Sequence, residues 1–477
     1  MPTGRRPFLA LLVASGGFVI VLDTFAAAVA FPRILKAFPD TPPTTLAWLS
    51  SGYSIALAAL LLVAGKLSDR YGLRRVYLWG MGGFMVGAMA SAAAPNPGLL
   101  IAARVAQGSA GALMVSTSIA LALMGYSTER RGAAMGAIGI MGSLASLSGP
   151  VLAGNIIDIG GSWRWVFLVS VPIGLAVLIS GPRVLPAGEP KADGAGSIDL
   201  IGVVLVVLAS GLLTLGLLQS GSWGWADART LVALGVAAVA AVLFVLRCSR
   251  VAEPLLRMEI FRRRTFLVAT VSQLGSQLAL FAFFFWIPLY LTNVWKWSAS
   301  AVGWVTAIPL VLSCLSLPIG RFADRRGYRG LLFWGGLVGA ASLAWVFVAL
   351  GEEERFVTRL LPALFLFGVS IAMIGISSAA AALAGLAKED LAAANSAFQT
   401  ARRQVQTLGI AVVIGLLGDR SADSLSRFRL VWMVTGVCFV LSSVVALWYP
   451  TQSPLGALPG AAQAPPSSVP APNRGGQ

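Results

Sequence analysis

Long apolar runs separated by short polar segments make up most of this chain. The first run, residues 8–31, reads FLALLVASGGFVIVLDTFAAAVAF and contains one ionisable residue, Asp23. Because a helix rises about 1.5 Å per residue, about twenty apolar residues cross the hydrocarbon core of a bilayer. The pattern predicts an all-α integral membrane protein with fourteen transmembrane helices. The predicted spans are 8–31, 46–66, 76–94, 98–124, 132–156, 163–182, 198–218, 228–246, 266–291, 299–320, 331–350, 356–386, 392–418 and 428–449.

Composition and charge agree with this assignment. The chain is 57% hydrophobic and 11% charged, whereas soluble domains carry about 25% charged residues. A net charge of +16 could indicate nucleic-acid binding, but the basic residues lie between the apolar runs. With the N-terminus in the cytoplasm, 22 Lys and Arg fall in inside segments and 10 in outside segments, as the positive-inside rule requires. We therefore predict a plasma-membrane protein with both termini cytoplasmic, a first helix that is not cleaved, and no nucleic-acid partner.

An internal repeat divides the chain. Residues 65–72 read GKLSDRYG and residues 320–327 read GRFADRRG, so both fit G-x-x-x-D-R-x-G, 255 residues apart. Six spans with their loops need about 200 residues, and two further spans need about 50 more. The spacing therefore predicts two six-helix bundles with an inserted helix pair between them. The predicted divisions are 1–190 for the first bundle, 191–250 for the inserted pair and linkers, 251–450 for the second bundle, and 451–477 for a disordered cytoplasmic tail.

The repeated loops are candidates for a cytoplasmic gate that forms in one conformation and breaks in the other. Glycine lets helix ends approach closely, aspartate caps a helix or pairs with a cation, and arginine binds carboxylates or helix C-termini. A tight turn with ordinary positive-inside charge is the alternative. The predicted gate residues are Gly65, Asp69, Arg70, Gly72, Arg74, Arg75, Asp324 and Arg325.

Asp23 is the first candidate for chemistry. A carboxylate near the middle of a bilayer costs at least about 2.5–3.5 kcal/mol on insertion scales, so its presence suggests a function. Protonation and cationic cargo would then compete for one negative site. Arg104 in the fourth span lies at a similar distance from the outer surface, so the two side chains could meet. The alternatives are a structural hydrogen bond from Asp23 to a neighbouring helix and an Arg104 that binds backbone carbonyls.

Other chemistries find little support in the sequence. The chain has no histidine, and its three cysteines lie far apart. This excludes histidine-based triads and argues against a disulfide framework or a zinc site. A membrane enzyme would need a nucleophile, a metal cluster or paired carboxylates, and none is evident. We predict no enzymatic activity, no metal and no cofactor, with a proton gradient as the energy source.

Four motifs together resemble the Major Facilitator Superfamily, specifically its fourteen-span drug/proton antiporter branch. The superfamily loop motif begins at Gly65. The fourth span carries RVAQGSAG from Arg104, and the fifth carries GPVLAG from Gly149. SWRWVF from Ser162, followed by PIG from Pro172, resembles the sixth-span signature of the branch. The resemblance covers about residues 1–450 and implies the major facilitator fold.

The first span departs from the pattern of that branch. Phe25, Ala28 and Phe31 stand where Thr, Asn and Leu are usual, so a polar neighbour of Asp23 is missing. The resemblance implies that Arg104 takes part in proton transfer. It also implies a pliable fifth helix that seals against proton leak, for which a packing groove without motion is the alternative. The residues of this antiporter motif are Gly149, Pro150 and Gly154.

Polar and aromatic residues within the spans are candidates for a substrate cavity between the bundles. Each could instead be an ordinary core residue. Arg402 and Arg403 lie in a polar patch that cannot face lipid, so they either line the cavity or mark the cytoplasmic end of a helix. The candidate cavity residues are Phe25, Tyr53, Gln107, Gln273, Gln277, Phe281, Trp286, Asn395 and Gln399.

These features predict proton-coupled efflux, by alternating access, of hydrophobic and cationic small molecules such as drugs or antibiotics. The expected partners are the small-molecule substrate, protons and the lipid bilayer, and the protein is expected to be a monomer. One alternative is a transporter of a single dedicated metabolite, which would need more polar groups in the membrane. The others are a membrane enzyme and a non-transporting receptor or scaffold.

Overall fold

The computed structural model describes residues 6–124, 131–186, 199–251, 258–312, 327–384, 388–417 and 425–450. The regular elements in these residues are helices, which satisfy their own backbone hydrogen bonds as a bilayer requires. They are α1 (Arg6–Ala37), α2 (Pro43–Leu46), α3 (Trp48–Tyr71), α4 (Leu73–Ala93), α5 (Pro97–Met124), α6 (Arg131–Gly160), α7 (Arg164–Leu168), α8 (Ser170–Val184), α9 (Leu200–Trp223), α10 (Ala228–Arg250), a 3-10 helix (Met258–Arg262), α11 (Arg264–Asn293), α12 (Ala299–Leu312), α13 (Tyr328–Ala349), a π-helical turn (Phe356–Leu360), α14 (Leu361–Leu383), α15 (Lys388–Leu417) and α16 (Leu425–Ala446).

Each of the fourteen predicted spans overlaps a helical segment within the described residues. The sixth span is divided into α7 and α8, and the twelfth begins with the π-helical turn before α14. Within the described residues, 11 segments are long and apolar enough to cross a membrane. The helices α6, α12 and α15 are not among these 11 segments. That these three also cross the membrane, which would give fourteen spans, stays a prediction.

The helix α10 illustrates why the outer surface of the protein is apolar. Val232, Val236 and Val239 on one face are 47–62% exposed, whereas Ala237 and Phe244 on the opposite face are buried. An exposed valine stripe of this length would promote aggregation in water. In a bilayer it contacts acyl chains, and the small buried residues allow α9 to pack closely.

Helix packing forms two groups that meet along a seam. In the first group α1 packs against α6, and α5 packs against α3 and α4. In the second, α13 packs against α14 and α16, and α11 packs against α15 and α16. The seam is formed by α6 with α12, α3 with α15, and α1 with α11.

The inserted helices lie beside that seam. α9 and α10 pack against each other, and α9 also contacts α15 and α3. Their helical ends match the predicted spans 198–218 and 228–246 to within a few residues. The predicted domain boundary near residue 190 falls in 187–198, outside the described residues.

The glycine that ends the repeated motif has a positive φ in both groups. Gly72 has φ 87° between α3 and α4, and Gly327 has φ 82° immediately before α13. L-residues with a β-carbon rarely adopt this conformation, so glycine ends each motif for a steric reason. The two copies of the motif therefore end with the same backbone requirement for glycine.

Candidate functional site

Asp23 on α1 is buried, and both of its carboxylate oxygens accept hydrogen bonds. It is 4% exposed, and its Oδ2 accepts a hydrogen bond from Arg104 Nη1 at 2.7 Å. Gln107 Nε2 donates to Asp23 Oδ1 at 3.1 Å, and Arg104 Nη1 also donates to Gln107 Oε1 at 2.7 Å. We call these three side chains the Asp23 network. It shows that Asp23 and Arg104 lie at the same depth, as predicted.

Gln107 supplies the polar neighbour that the first span lacks. It lies on α5, three residues after Arg104, so both side chains leave the same face of the helix. Gln107 was predicted to line the substrate cavity, but it is buried and is not among the residues that line the cavity in the structure. In the sequence, the spacing of three residues between Arg104 and Gln107 indicates that the two side chains are neighbours.

Arg104 has partners besides Asp23. Its Nε donates to the Leu49 carbonyl oxygen at 3.3 Å, and its guanidinium carbon lies 4.4 Å from the centre of the Tyr53 ring. The Phe167 ring lies on it as well, at 5.2 Å. Both predicted roles of Arg104, the contact with Asp23 and the contact with a backbone carbonyl, are therefore seen together. The guanidinium would remain held if the charge of Asp23 changed.

A narrow cavity adjoins the Asp23 network, between the two helix groups. Tyr53 and Arg104 form part of its polar wall, and Phe25 and Phe281 form part of its apolar wall. The Phe25 and Phe281 ring centres are 6.2 Å apart. The walls leave room for little more than a water molecule, so a cargo molecule requires them to separate. The other lining residues are Thr24, Ala28, Ser50, Ser54, Phe284, Phe285 and Ile410.

Three of the predicted cavity residues, Phe25, Tyr53 and Phe281, line this cavity. Trp286 instead packs inside the second helix group, with its ring centre 5.4 Å from that of Trp432. It is fully buried because an indole ring at this position fills an aromatic cluster.

The remaining polar candidates lie on α11 and α15. Gln273 and Gln277 are buried one turn apart, and Gln273 Nε2 donates to Gln277 Oε1 at 2.9 Å. Gln399 is half-buried on α15. The side chain of Asn395 lies outside the described residues.

The expectation of a cationic cargo assumed a carboxylate free to bind it. In the structure the negative charge of Asp23 is matched by Arg104 at 2.7 Å. The residues described as lining the cavity include no carboxylate. The geometry therefore removes the reason for preferring a cation.

Comparison with known proteins assigns the family. The model of the Major Facilitator Superfamily matches residues 13–410 and 269–471. The chain belongs to the Major Facilitator Superfamily. As a member, it is a multi-pass membrane transporter of small molecules and not an enzyme, as predicted.

Individual proteins to which this transporter is similar agree with the family assignment. It is 32% identical over 428 residues to the tetracenomycin C resistance and export protein of Streptomyces glaucescens, covering 88% of this chain and 77% of that protein. It is 28% identical over 419 residues to a cephamycin export protein of Amycolatopsis lactamdurans, covering 87% and 85% of the two chains. The inward-open xylose transporter of E. coli has the same fold, with a TM-score of 0.62 at 14% identity over 94% of this chain and 97% of that one.

In this transporter the fifth-span motif lies at the seam between α6 and α12. A β-carbon at Gly154 would collide with the Ala299 carbonyl oxygen, and one at Gly303 would collide with that of Pro150. Gly149 packs against α1, where an added β-carbon would lie 2.9 Å from the Leu22 carbonyl oxygen. The two helix backbones therefore touch, which closes this part of the seam.

Asp158, which the sequence does not single out, lies one helical turn after Gly154 on α6. Its Oδ2 accepts from the Ser300 backbone N–H at 2.7 Å, and its Oδ1 accepts from the Ala299 N–H at 3.3 Å. Arg33 Nη2 lies 3.6 Å from the same Oδ1. We call these contacts the Asp158 bridge. The Asp158 bridge joins the ends of α1 and α6 to the start of α12. In the sequence, the spacing of four residues between Gly154 and Asp158 indicates that both lie on the same face of α6.

The predicted cytoplasmic gate is described only in part. Arg74 Nη1 donates to the Pro182 and Leu185 carbonyl oxygens at 3.2 and 3.4 Å, at the end of α8. This matches the expected binding of arginine to a helix C-terminus. Arg70 and Arg75 are exposed. The side chain of Asp69 and the residues Asp324 and Arg325 lie outside the described residues, so the gate stays a prediction.

Proposed function

We propose that this transporter exports hydrophobic small molecules, drugs or antibiotics among them, across the cell membrane in exchange for protons. The likeness to proteins named for resistance and export supports the direction of transport. The observation that carries proton coupling is the Asp23 network beside the cavity. Cytoplasmic termini and the plasma membrane location belong to the same proposal.

Protonation of Asp23 changes the charge that faces the cavity. In this structure Asp23 and Arg104 form a neutral pair. A proton on Asp23 leaves the positive charge of Arg104 uncompensated, next to Tyr53 and the cavity wall. Charge interactions are strong where water is excluded, so one proton alters the cavity potential substantially. Gln107 and Leu49 keep Arg104 in place during that change.

Alternating access is supported by the contacts along the seam. The α6–α12 glycine contacts and the Asp158 bridge close the side that is predicted to face outward. Release of cargo on that side requires these contacts to part. Rocking of the two helix groups about the cavity would separate them without unfolding either group.

Transport into everted membrane vesicles with an imposed pH gradient tests this proposal, with rhodamine 123 and fluorescein as probes of opposite charge. Asp23→Asn should abolish the gradient-dependent part of uptake, because the side chain can no longer exchange a proton. Asp199→Asn is the matched control, since Asp199 is also buried and pairs with Arg247 at 2.6 Å, away from the cavity. Uptake by the Asp23→Asn variant that still followed the pH gradient would refute proton carriage by Asp23.

A further inference from the structure

Two adjacent arginines on α15, Arg402 and Arg403, lack counter-charges. The described residues include no carboxylate within ion-pair distance of either guanidinium. Asp23 and Arg104 compensate each other, so these two arginines leave the middle of the protein with two unmatched positive charges. Neighbouring cations at low dielectric are costly unless an anion or water reaches them.

The depth of the pair argues against a lipid headgroup as that anion. Arg403 lies 15 residues after Lys388 and 14 residues before Leu417, the two ends of α15. At about 1.5 Å per residue, it is more than about 20 Å along the helix from either end. A lipid phosphate lies near the helix ends, beyond the reach of a side chain at this depth.

Arg403 is placed on the side of α15 that borders the cavity. It precedes Ile410 by two helical turns, so both leave the same face, and Ile410 lines the cavity. Arg403 also lies within electrostatic range of Tyr53, which is part of the cavity wall on the opposite helix group. A cargo molecule that widened the cavity would therefore extend toward Arg403.

Several buried polar atoms around this position can donate a hydrogen bond and have no partner in the described structure. The hydroxyls of Tyr53, Thr400 and Thr407 and the Nε of Arg402 are buried and have no partner in the described structure. Thr400, Arg403 and Thr407 follow one another along one face of α15. Buried donors left without acceptors cost about 1–3 kcal/mol each, so a ligand rich in acceptors is favoured here.

We propose that Arg403, with Arg402 beside it, recognises an acidic group on the cargo, so that the transporter selects carboxylate- or phenolate-bearing amphiphiles. The guanidinium groups bind such an oxyanion through charge-assisted hydrogen bonds, and Tyr53 and Thr407 donate to its remaining lone pairs. The apolar wall at Phe25 and Phe281 accepts the hydrophobic part. This inference rests on the proposed export function, because it assumes that the cavity holds the cargo.

Binding of two dyes with the same ring system and opposite charge tests the inference. Fluorescein is anionic and rhodamine 123 is cationic, and anisotropy titration of purified transporter in detergent gives both dissociation constants without a gradient. We expect fluorescein to bind more tightly. Arg403→Gln should weaken fluorescein binding by about tenfold, the lower range for one hydrogen bond to a charged group, and leave rhodamine 123 binding unchanged or stronger.

Matched variants separate charge recognition from structural damage. Arg403→Lys keeps the charge and should retain most fluorescein binding. Arg250→Gln removes an exposed arginine at the end of α10 and should change neither dye. Tighter binding of rhodamine 123 by the wild type, binding of neither dye, or an equal loss of both dyes in Arg403→Gln would overturn the inference.

Vesicle transport distinguishes this inference from the proposed function. If fluorescein binds as expected but is not moved by a pH gradient, proton-coupled export fails and the acidic-group site remains. If rhodamine 123 is exported with the gradient and fluorescein is not bound, export stands and the site assignment is wrong.

Discussion

Removing Arg104 alone should destabilise this transporter more than removing Arg104 and Asp23 together. Each side chain is almost completely shielded, with 3% and 1% of the side chain exposed for Asp23 and Arg104. Truncating one partner of a buried pair generally costs about 3–5 kcal/mol, because an uncompensated charge stays behind.

The contacts predict unequal costs for the two single changes. Arg104→Gln leaves the Asp23 carboxylate with Gln107 as its described partner, so we expect a loss of about 3–4 kcal/mol. Asp23→Asn leaves Arg104 with Gln107, Leu49 and two aromatic rings, so we expect about 1–2 kcal/mol. The double variant has no charge to compensate and should lose only about 2 kcal/mol, which gives an interaction energy of roughly 2–4 kcal/mol.

Reversible unfolding in mixed micelles with increasing dodecyl sulfate measures these free energies. The 14 tryptophans provide the fluorescence signal. Additive effects, within about 0.5 kcal/mol, would refute the energetic coupling of the pair. The double variant should also remain inactive in gradient-driven uptake although it is more stable than Arg104→Gln, which separates proton carriage from stability.

Two further predictions concern the turn and the seam. Gly72→Ala should cost about 1–2 kcal/mol in the same unfolding assay because φ is 87° there, whereas Gly65→Ala should stay within about 0.5 kcal/mol because an added β-carbon meets no atom within 4 Å. Equal effects of the two changes would contradict the assigned turn. Asp158→Asn should open the α6–α12 seam about fivefold more often, as expected from one weakened charged contact of about 1 kcal/mol. The rate at which a membrane-impermeant maleimide labels a cysteine placed at the buried Val302 measures this opening. Asp40→Asn, in an exposed loop, is the control. An unchanged labelling rate in Asp158→Asn would exclude a role of Asp158 in closing the seam.

Much of the architecture follows from the local sequence because a bilayer constrains each segment separately. Span length and apolar composition locate helices such as α1 and α10 without knowledge of their neighbours. The repeated motif likewise places a glycine at two equivalent positions, and Gly72 and Gly327 share a positive φ because this conformation is a property of the local backbone. α15 was predicted as a span but is not among the 11 segments apolar enough to cross a membrane, because it carries a polar patch that includes Arg402 and Arg403.

The sequence by itself determined that the chain spans a membrane many times, is built on a repeat, and carries an acid and an arginine at a common depth. Only the tertiary structure decided that Gln107 completes their network, that the acid is electrically neutralised, and that Asp158 bridges the seam. The physical reason is that the two kinds of interaction depend on different parts of the chain. Hydrophobic burial in lipid acts on each helix separately. Charge compensation depends on which side chains from helices distant in sequence come within about 3 Å of each other.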